Sequence, residues 1–164
     1  MFNGLGHETR ATASDHNALR AWLRLLSCSR QIENEIRARL RERFGISLAR
    51  FDFLAQLHRA PDGLSMREIT QRLMVTGGNV TGLTRELGAE GLVARKPHPS
   101  DGRSAMIGLT AKGRRSFEAM ASEHEGWVVE LFAGLPDRQL TTLHTQLGNL
   151  RQHIDHTQHS RGQA

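Results

Sequence analysis

Asn79, Thr81 and Arg85 are spaced so that a helix would place them on one face, together with Gly78 and Gly82. Their shared chemistry is hydrogen bonding to flat base edges and to anions. Asparagine and arginine pair bidentately with bases in a major groove, and threonine meets the thymine methyl group. The two glycines weaken such a helix by about 1 kcal/mol each against alanine. In exchange they leave a bare strip that admits a groove wall or a phosphate. Further along, Asp101 and Arg103 flank a glycine in a run rich in proline and glycine. The aspartate would hold the guanidinium by charge-assisted hydrogen bonds. An arginine presented in this way suits the negative potential of a narrow minor groove. Taken singly, the first group also fits a solvated helix face and the second a plain Asp-Gly turn. Their order along the chain decides between these readings.

That order is set by the surrounding elements. Ser65 and Glu68 form a capping box that opens a first short helix, and Ile69 and Leu73 are its inward residues. Thr76 is the next natural N-cap. From it Val80, Leu83 and Leu87 recur at helical spacing as a core face. Gly91 fits the C′ position that ends the helix. Leu92 to Lys96 reads as a strand, and Ala105 to Leu109 as its returning partner. The run Pro97 to Arg103 is expected to lie outside both, because proline removes a ladder donor. Thr110 caps the next helix. Helix, tight turn, helix and basic hairpin make a winged helix-turn-helix. The predicted fold class is therefore mainly α with a small β-hairpin wing.

Charge is segregated in the same place. The chain of 164 residues carries a formal net charge of +5. Residues 65–115 hold nine Lys/Arg against four Asp/Glu, and the remainder is balanced, so the whole excess sits on the proposed reading segment. Such clustering is the footprint of a phosphate-binding face. Arg67, Lys96 and Arg103 are its expected backbone contacts, while Ser65, Thr76, Gly78, Asn79, Thr81, Arg85 and Asp101 complete the set.

The flanks read as helical. Residues 1–14 are polar and expected to be flexible. Asp15 caps a long helix to about Arg43, closed by Gly45. Ala18, Trp22, Leu25, Ile32, Ile36 and Leu40 line one side of it, and Leu19, Leu23 and Leu26 a second. A helix apolar on two sides must be covered twice, once by another protomer. Its seven arginines read as ion-paired with Glu33, Glu35 and Glu42, or as a wall for an anion. Ser47 starts another helix, and Ala60 to Gly63 forms a turn. After the wing come a helix from Thr110 to about Ala133 and a last one carrying Leu140, Leu143, Leu147, Leu150 and Ile154, spaced like the seam of a helix pair. The expected organisation is dimerisation helices at 15–46 and 111–156, a DNA-binding domain at 47–110 and a flexible tail at 157–164. Hydrophobic content of 38% is modest, as expected if a partner copy completes the apolar surface.

Other chemistry finds little support. The single cysteine, Cys28, excludes an internal disulfide framework, fits a reducing cytoplasm and reads as a small buried residue. His153, His156 and His159 lie three apart without a carboxylate or cysteine to complete a metal set. No nucleophile elbow, phosphate-cradling loop or HExxH motif occurs, so neither catalysis nor a cofactor is expected. No apolar run is long enough to span a membrane.

The run SMREITQRLMVTGGNVTGLTRELGAEGLVARKPHPSDGRSAMIGLTAKG resembles the MarR family of bacterial transcriptional regulators, and the resemblance extends over roughly residues 15–155. It implies a homodimer with a winged helix-turn-helix in each protomer, binding to a palindromic operator, usually repression, and release by a small ligand or by oxidation. In that family the effector cavity tends to lie between the dimerisation helices and the winged domain. On this sequence that points to Trp22, Arg30, Arg50, Phe51 and Phe53. The N-terminal run from Ala21 to Leu64 looks most like the subgroup controlling hydroxycinnamate catabolism, which implies an aryl-CoA thioester effector. The alternatives are a free aromatic carboxylate, an oxidant sensed by Cys28, a metal, or a winged-helix module for protein or RNA.

Overall fold

The computed structural model describes residues 17–73, 77–97 and 105–161. Helix α1 runs Asn17–Phe44 and stops at Gly45, whose φ of 67° few other residues adopt. The Gly45 N–H donates to the Arg41 carbonyl at 3.0 Å, closing the last turn. Ser47 then caps α2, Leu48–His58, by accepting from the Arg50 N–H at 3.3 Å. Asp15, the expected cap of α1, lies outside the described residues.

The turn after α2 ends at Gly63, with φ 93°. A Cβ there would also sit 2.8 Å from the Ile107 carbonyl oxygen, so both conformation and space demand glycine. Leu64–Ser65 follow as a two-residue strand β1 that sequence patterning does not reveal. Helices α3 (Met66–Leu73) and α4 (Gly77–Ala89) come next, then β2 (Val93–Pro97) and β3 (Ala105–Leu109). The sheet is antiparallel in the order β1-β3-β2, with Leu64 opposite Ile107 and Val93 opposite Leu109. Pro97 belongs to β2, opposite Ala105, and this corrects the expectation that it would be excluded. It sits at the last position of an edge strand, where the missing donor breaks no interior ladder. The remaining helices are α5 (Ala111–Phe132) and α6 (Asp137–Arg161).

Phe53, Leu54 and Leu57 of α2 pack with Ile69, Val80, Leu87 and Ile107 as the fully buried centre of the winged region. The chain divides at His124/Glu125 into two compact units. Among the described residues no helix is long and apolar enough to cross a membrane.

Candidate nucleic-acid interface

The capping box forms as expected. The Ser65 N–H donates to Glu68 Oε2 at 2.8 Å, and the Glu68 N–H donates to Ser65 Oγ at 3.3 Å. The Ser65 hydroxyl also donates to Glu68 at 2.7 Å, so this side chain is occupied in starting α3. Val80, Leu83 and Leu87 turn α4 inward and are buried, while Asn79, Thr81 and Arg85 are exposed on its outer side. A Cβ at Gly82 would meet nothing within 4 Å, so the helix is bare at that point. Thr84 is buried, and its hydroxyl donates to the Val80 carbonyl at 2.8 Å, spending its polarity within the helix. Gly91, with φ 71°, ends α4, and the Leu92 N–H donates back to the Leu87 carbonyl at 2.9 Å.

A cleft of about 400 Å³ separates α4 from the wing. Thr81 and Arg85 line it from the helix and Arg95 from β2. Arg95 was not among the residues singled out from sequence. Its position two residues after the buried Val93 gave no signal, because β2 is exposed along the rest of its length. Lys96 lies across Gly108, where a Cβ would come within 3.1 Å of its ammonium. Arg67, Arg85, Arg95 and Lys96 are all exposed, and none forms an ion pair among the described residues. Three arginines elsewhere are engaged: Arg39 with Glu35 at 2.7 Å, Arg43 with Glu123 at 3.5 Å, and Arg50 with Glu90. The helix-turn-helix and wing thus carry exposed cations outside any ion pair among the described residues, as Arg20, Arg30 and Arg115 do elsewhere. Thr76, Asp101 and Arg103 fall outside the described residues, as does the Gly78 side of the α4 start.

The residues expected at an effector site are dispersed. Trp22 and Arg30 are exposed on α1. Phe53 has no exposed surface and is a core residue. Phe51 is buried against the Phe117 ring, at 5.4 Å between centroids, and the His124 ring, at 4.9 Å. Arg50 lines a cavity near the end of α4. Its Nε–H is buried with no acceptor there; leaving such a donor unpaired costs about 1–3 kcal/mol. Cys28 is exposed, which corrects the reading of a small buried residue: on α1 it lies N-terminal to Ile36 and Leu40, the helix's two buried positions. Among the described residues no group of three His, Cys, Asp or Glu side chains is placed to hold a metal ion.

His124 and Asp52 form the titrating pair of this region. Burial holds His124 below its ordinary value of 6.5, against the pull of Asp52. Burial raises Asp52, with Glu33 adding to the rise and His124 and Arg59 opposing it. A lowered histidine contributes stability above its unfolded value that is lost as pH falls through the folded one. The raised Asp52 acts oppositely, losing its contribution as pH climbs from 3.8 through its folded value. Urea unfolding between about pH 7.5 and 5.5 is therefore expected to show stability falling towards acid. His124→Gln should flatten that slope, and an unchanged slope would contradict the assignment.

The profile of the MarR family matches residues 44–104. The HTH-type transcriptional regulator BilQ of Clostridium symbiosum is 30% identical over 111 residues, which span 66% of this chain and 76% of that protein. The HTH-type transcriptional repressor YetL of Bacillus subtilis is 28% identical over 137 residues, 83% of this chain and 81% of its own. The crystal structure of a MarR family transcriptional regulator from Silicibacter pomeroyi superposes with a TM-score of 0.71 at 33% identity, covering 87% of this chain and 99% of that one.

Proposed function

The chain belongs to the MarR family of transcriptional regulators, and from that membership we propose that it is a cytoplasmic repressor which grips a palindromic operator as a homodimer and lets go when a small aromatic effector binds. That it is a DNA-binding regulator rather than an enzyme follows from the family. The observation that supports the finer reading is that Arg85 and Arg95, exposed and in no ion pair among the described residues, line the same cleft as Thr81.

In this reading two α4 helices enter successive major grooves about 34 Å apart. Asn79, Thr81 and Arg85, with Thr76, meet base edges and phosphates, and Gly78 and Gly82 let the helix approach closely. Ser65 sets the start of α3, from which Arg67 reaches the backbone. Arg95 and Lys96 neutralise phosphates beside the wing, and Arg103, steadied by Asp101, enters the minor groove. YetL is named a repressor, which favours that sign of regulation. The effector-facing residues carried over from the family are Trp22, Arg30, Arg50, Phe51 and Phe53. A hydroxycinnamoyl-CoA thioester is the effector that the N-terminal resemblance implies.

A mobility shift on the chain's own upstream DNA, titrated with salt, tests this. Specific binding should exceed non-specific binding by about a thousandfold or more. Arg85→Ala is expected to cost about 1–3 kcal/mol and relax preference at one base position in each half-site. Arg103→Ala should weaken binding across sequences and reduce the salt slope. Equal affinity for palindromic and scrambled duplexes would instead favour a module for protein or RNA.

A further inference from the structure

Two cations hold the carboxyl end of α4, and neither lines the cleft shared by Thr81, Arg85 and Arg95. Glu90 directly follows the helix. Its carboxylate accepts from Arg50 Nη2 on α2, and its backbone carbonyl accepts from the Lys112 ammonium on α5 at 2.8 Å. The next carbonyl, that of Gly91, accepts from the Thr110 hydroxyl at 2.7 Å. Carbonyls at the end of a helix lack partners within it, and cations are favoured beside them. Here the partners come from other elements, so the end of α4 is tied to α2 and α5 at once. The Arg50 tie is poorly arranged for stability. Its Nε–H is buried without an acceptor among the described residues, which is unfavourable. Glu90 is 47% exposed, so solvent screens much of the attraction. An apolar side chain of similar length would avoid the buried donor. What the arginine supplies instead is a fixed place for the end of α4.

That place matters more to a helix that reads bases than to one that merely carries charge. α4 has 13 residues and is about 20 Å long. A tilt of about 10° at one end moves the other by about 3.5 Å, longer than a hydrogen bond. Base-edge contacts are short and directional, and such a shift breaks them. Attraction to phosphates reaches about 8–10 Å and tolerates it. We propose that Arg50 and Lys112 are positioning residues for base reading: through Glu90 they fix the tilt of α4, and so set sequence preference without touching DNA. The inference rests on the operator-binding reading above. An unlatched helix is misaligned part of the time, and apparent operator affinity falls with the aligned fraction.

The test is fluorescence anisotropy of the full chain on its own upstream DNA and on a scrambled duplex of the same length, over a salt series, beside thermal unfolding. Arg50→Met removes the unpaired donor and keeps an apolar stem. It is expected to leave the thermal midpoint unchanged or raised, and to weaken operator binding about fivefold, the upper range for a half-exposed ion pair. Binding to the scrambled duplex and the salt slope should not change, because no phosphate contact is lost. Lys112→Met, at an exposed position, should weaken operator binding in the same selective way, and Lys112→Arg should keep the parent's preference. A purely structural pair would instead lower the midpoint and both affinities together. A lysine that itself touches phosphate would lower both affinities and flatten the salt slope. Either pattern, or an operator preference that neither methionine variant changes, overturns the proposal while the operator reading stands. A parent chain with no preference for its own upstream DNA removes the operator reading, and the latch with it.

Discussion

Gly113→Ala is expected to cost the fold about 3 kcal/mol or more, and to lower the thermal midpoint by roughly 6–12 °C. A Cβ at this position would lie 1.9 Å from the Leu92 carbonyl oxygen and 2.8 Å from its carbon. That carbonyl is not free to swing aside. It accepts from the Thr110 N–H at 3.1 Å, and the Thr110 hydroxyl, which donates to the neighbouring Gly91 carbonyl at 2.7 Å, lies 3.3 Å from it. The same hydroxyl accepts from the Gly113 N–H at 2.9 Å, which is the N-cap of α5. The clash therefore lands on a junction where the end of α4, the start of β2 and the first turn of α5 meet. Gly126→Ala in the same helix is the control: nothing lies within 4 Å of its would-be Cβ. There alanine should be neutral or stabilising by up to about 1 kcal/mol. Thermal and urea unfolding of the two variants side by side checks the contrast, and equal midpoints would mean that the junction is looser than its geometry.

The difference between Gly113 and Gly91 also marks what the chain discloses before it folds. Gly91 follows a helical apolar pattern, so its role as a stop is local and legible. Gly113 is required because a carbonyl 21 positions away packs against it, and no spacing rule encodes that. The same division holds elsewhere. The Ser65–Glu68 box, the Ser47 cap, the Thr110 cap and the inward face Val80–Leu83–Leu87 are each written within one or two turns of chain. Strand β1 is two residues long, too short to alternate, and exists because β3 offers it an edge. Pro97 is tolerated in β2 only because the sheet order makes β2 an edge strand. The exposed outer residues of α4 were legible as the complement of its buried face. Arg95 was not, because an exposed edge strand has no periodicity to read. The Arg50–Glu90 pair joins residues 40 apart, and the cavity between them is a product of tertiary packing. Sequence put Arg50 near an effector only through family resemblance, together with Phe51 and Phe53, which are interior residues here.

Leu147→Glu combined with Leu150→Glu is expected to turn the protein into a monomer and to drop operator affinity by about a thousandfold, to the non-specific level. On α6, Leu143, Leu147, Leu150 and Ile154 are 38%, 39%, 45% and 43% exposed. They recur every three or four residues along an otherwise polar helix, the spacing of a helix-pair seam. Burying each fully from an exposed state would contribute about 1.5–3 kcal/mol, so covering this seam favours pairing of two copies. In a symmetric interface each substitution appears twice. Four carboxylates would have to be desolvated beside one another, which costs several kcal/mol. Neither residue is buried within the chain, so the protomer itself should keep its fold and its helical signal. Sedimentation velocity reads the assembly state, and anisotropy on duplexes with one or two half-sites reads the consequence. The double variant should bind both duplexes with the same weak affinity, because losing the tether removes the effective concentration that makes the second half-site productive. Every side chain proposed to face DNA is left in place, so a loss of this size isolates what pairing two readers contributes from what each reader touches. A variant that stays dimeric would move the interface off α6, and a monomer that still binds the full site tightly would remove the need for two copies altogether.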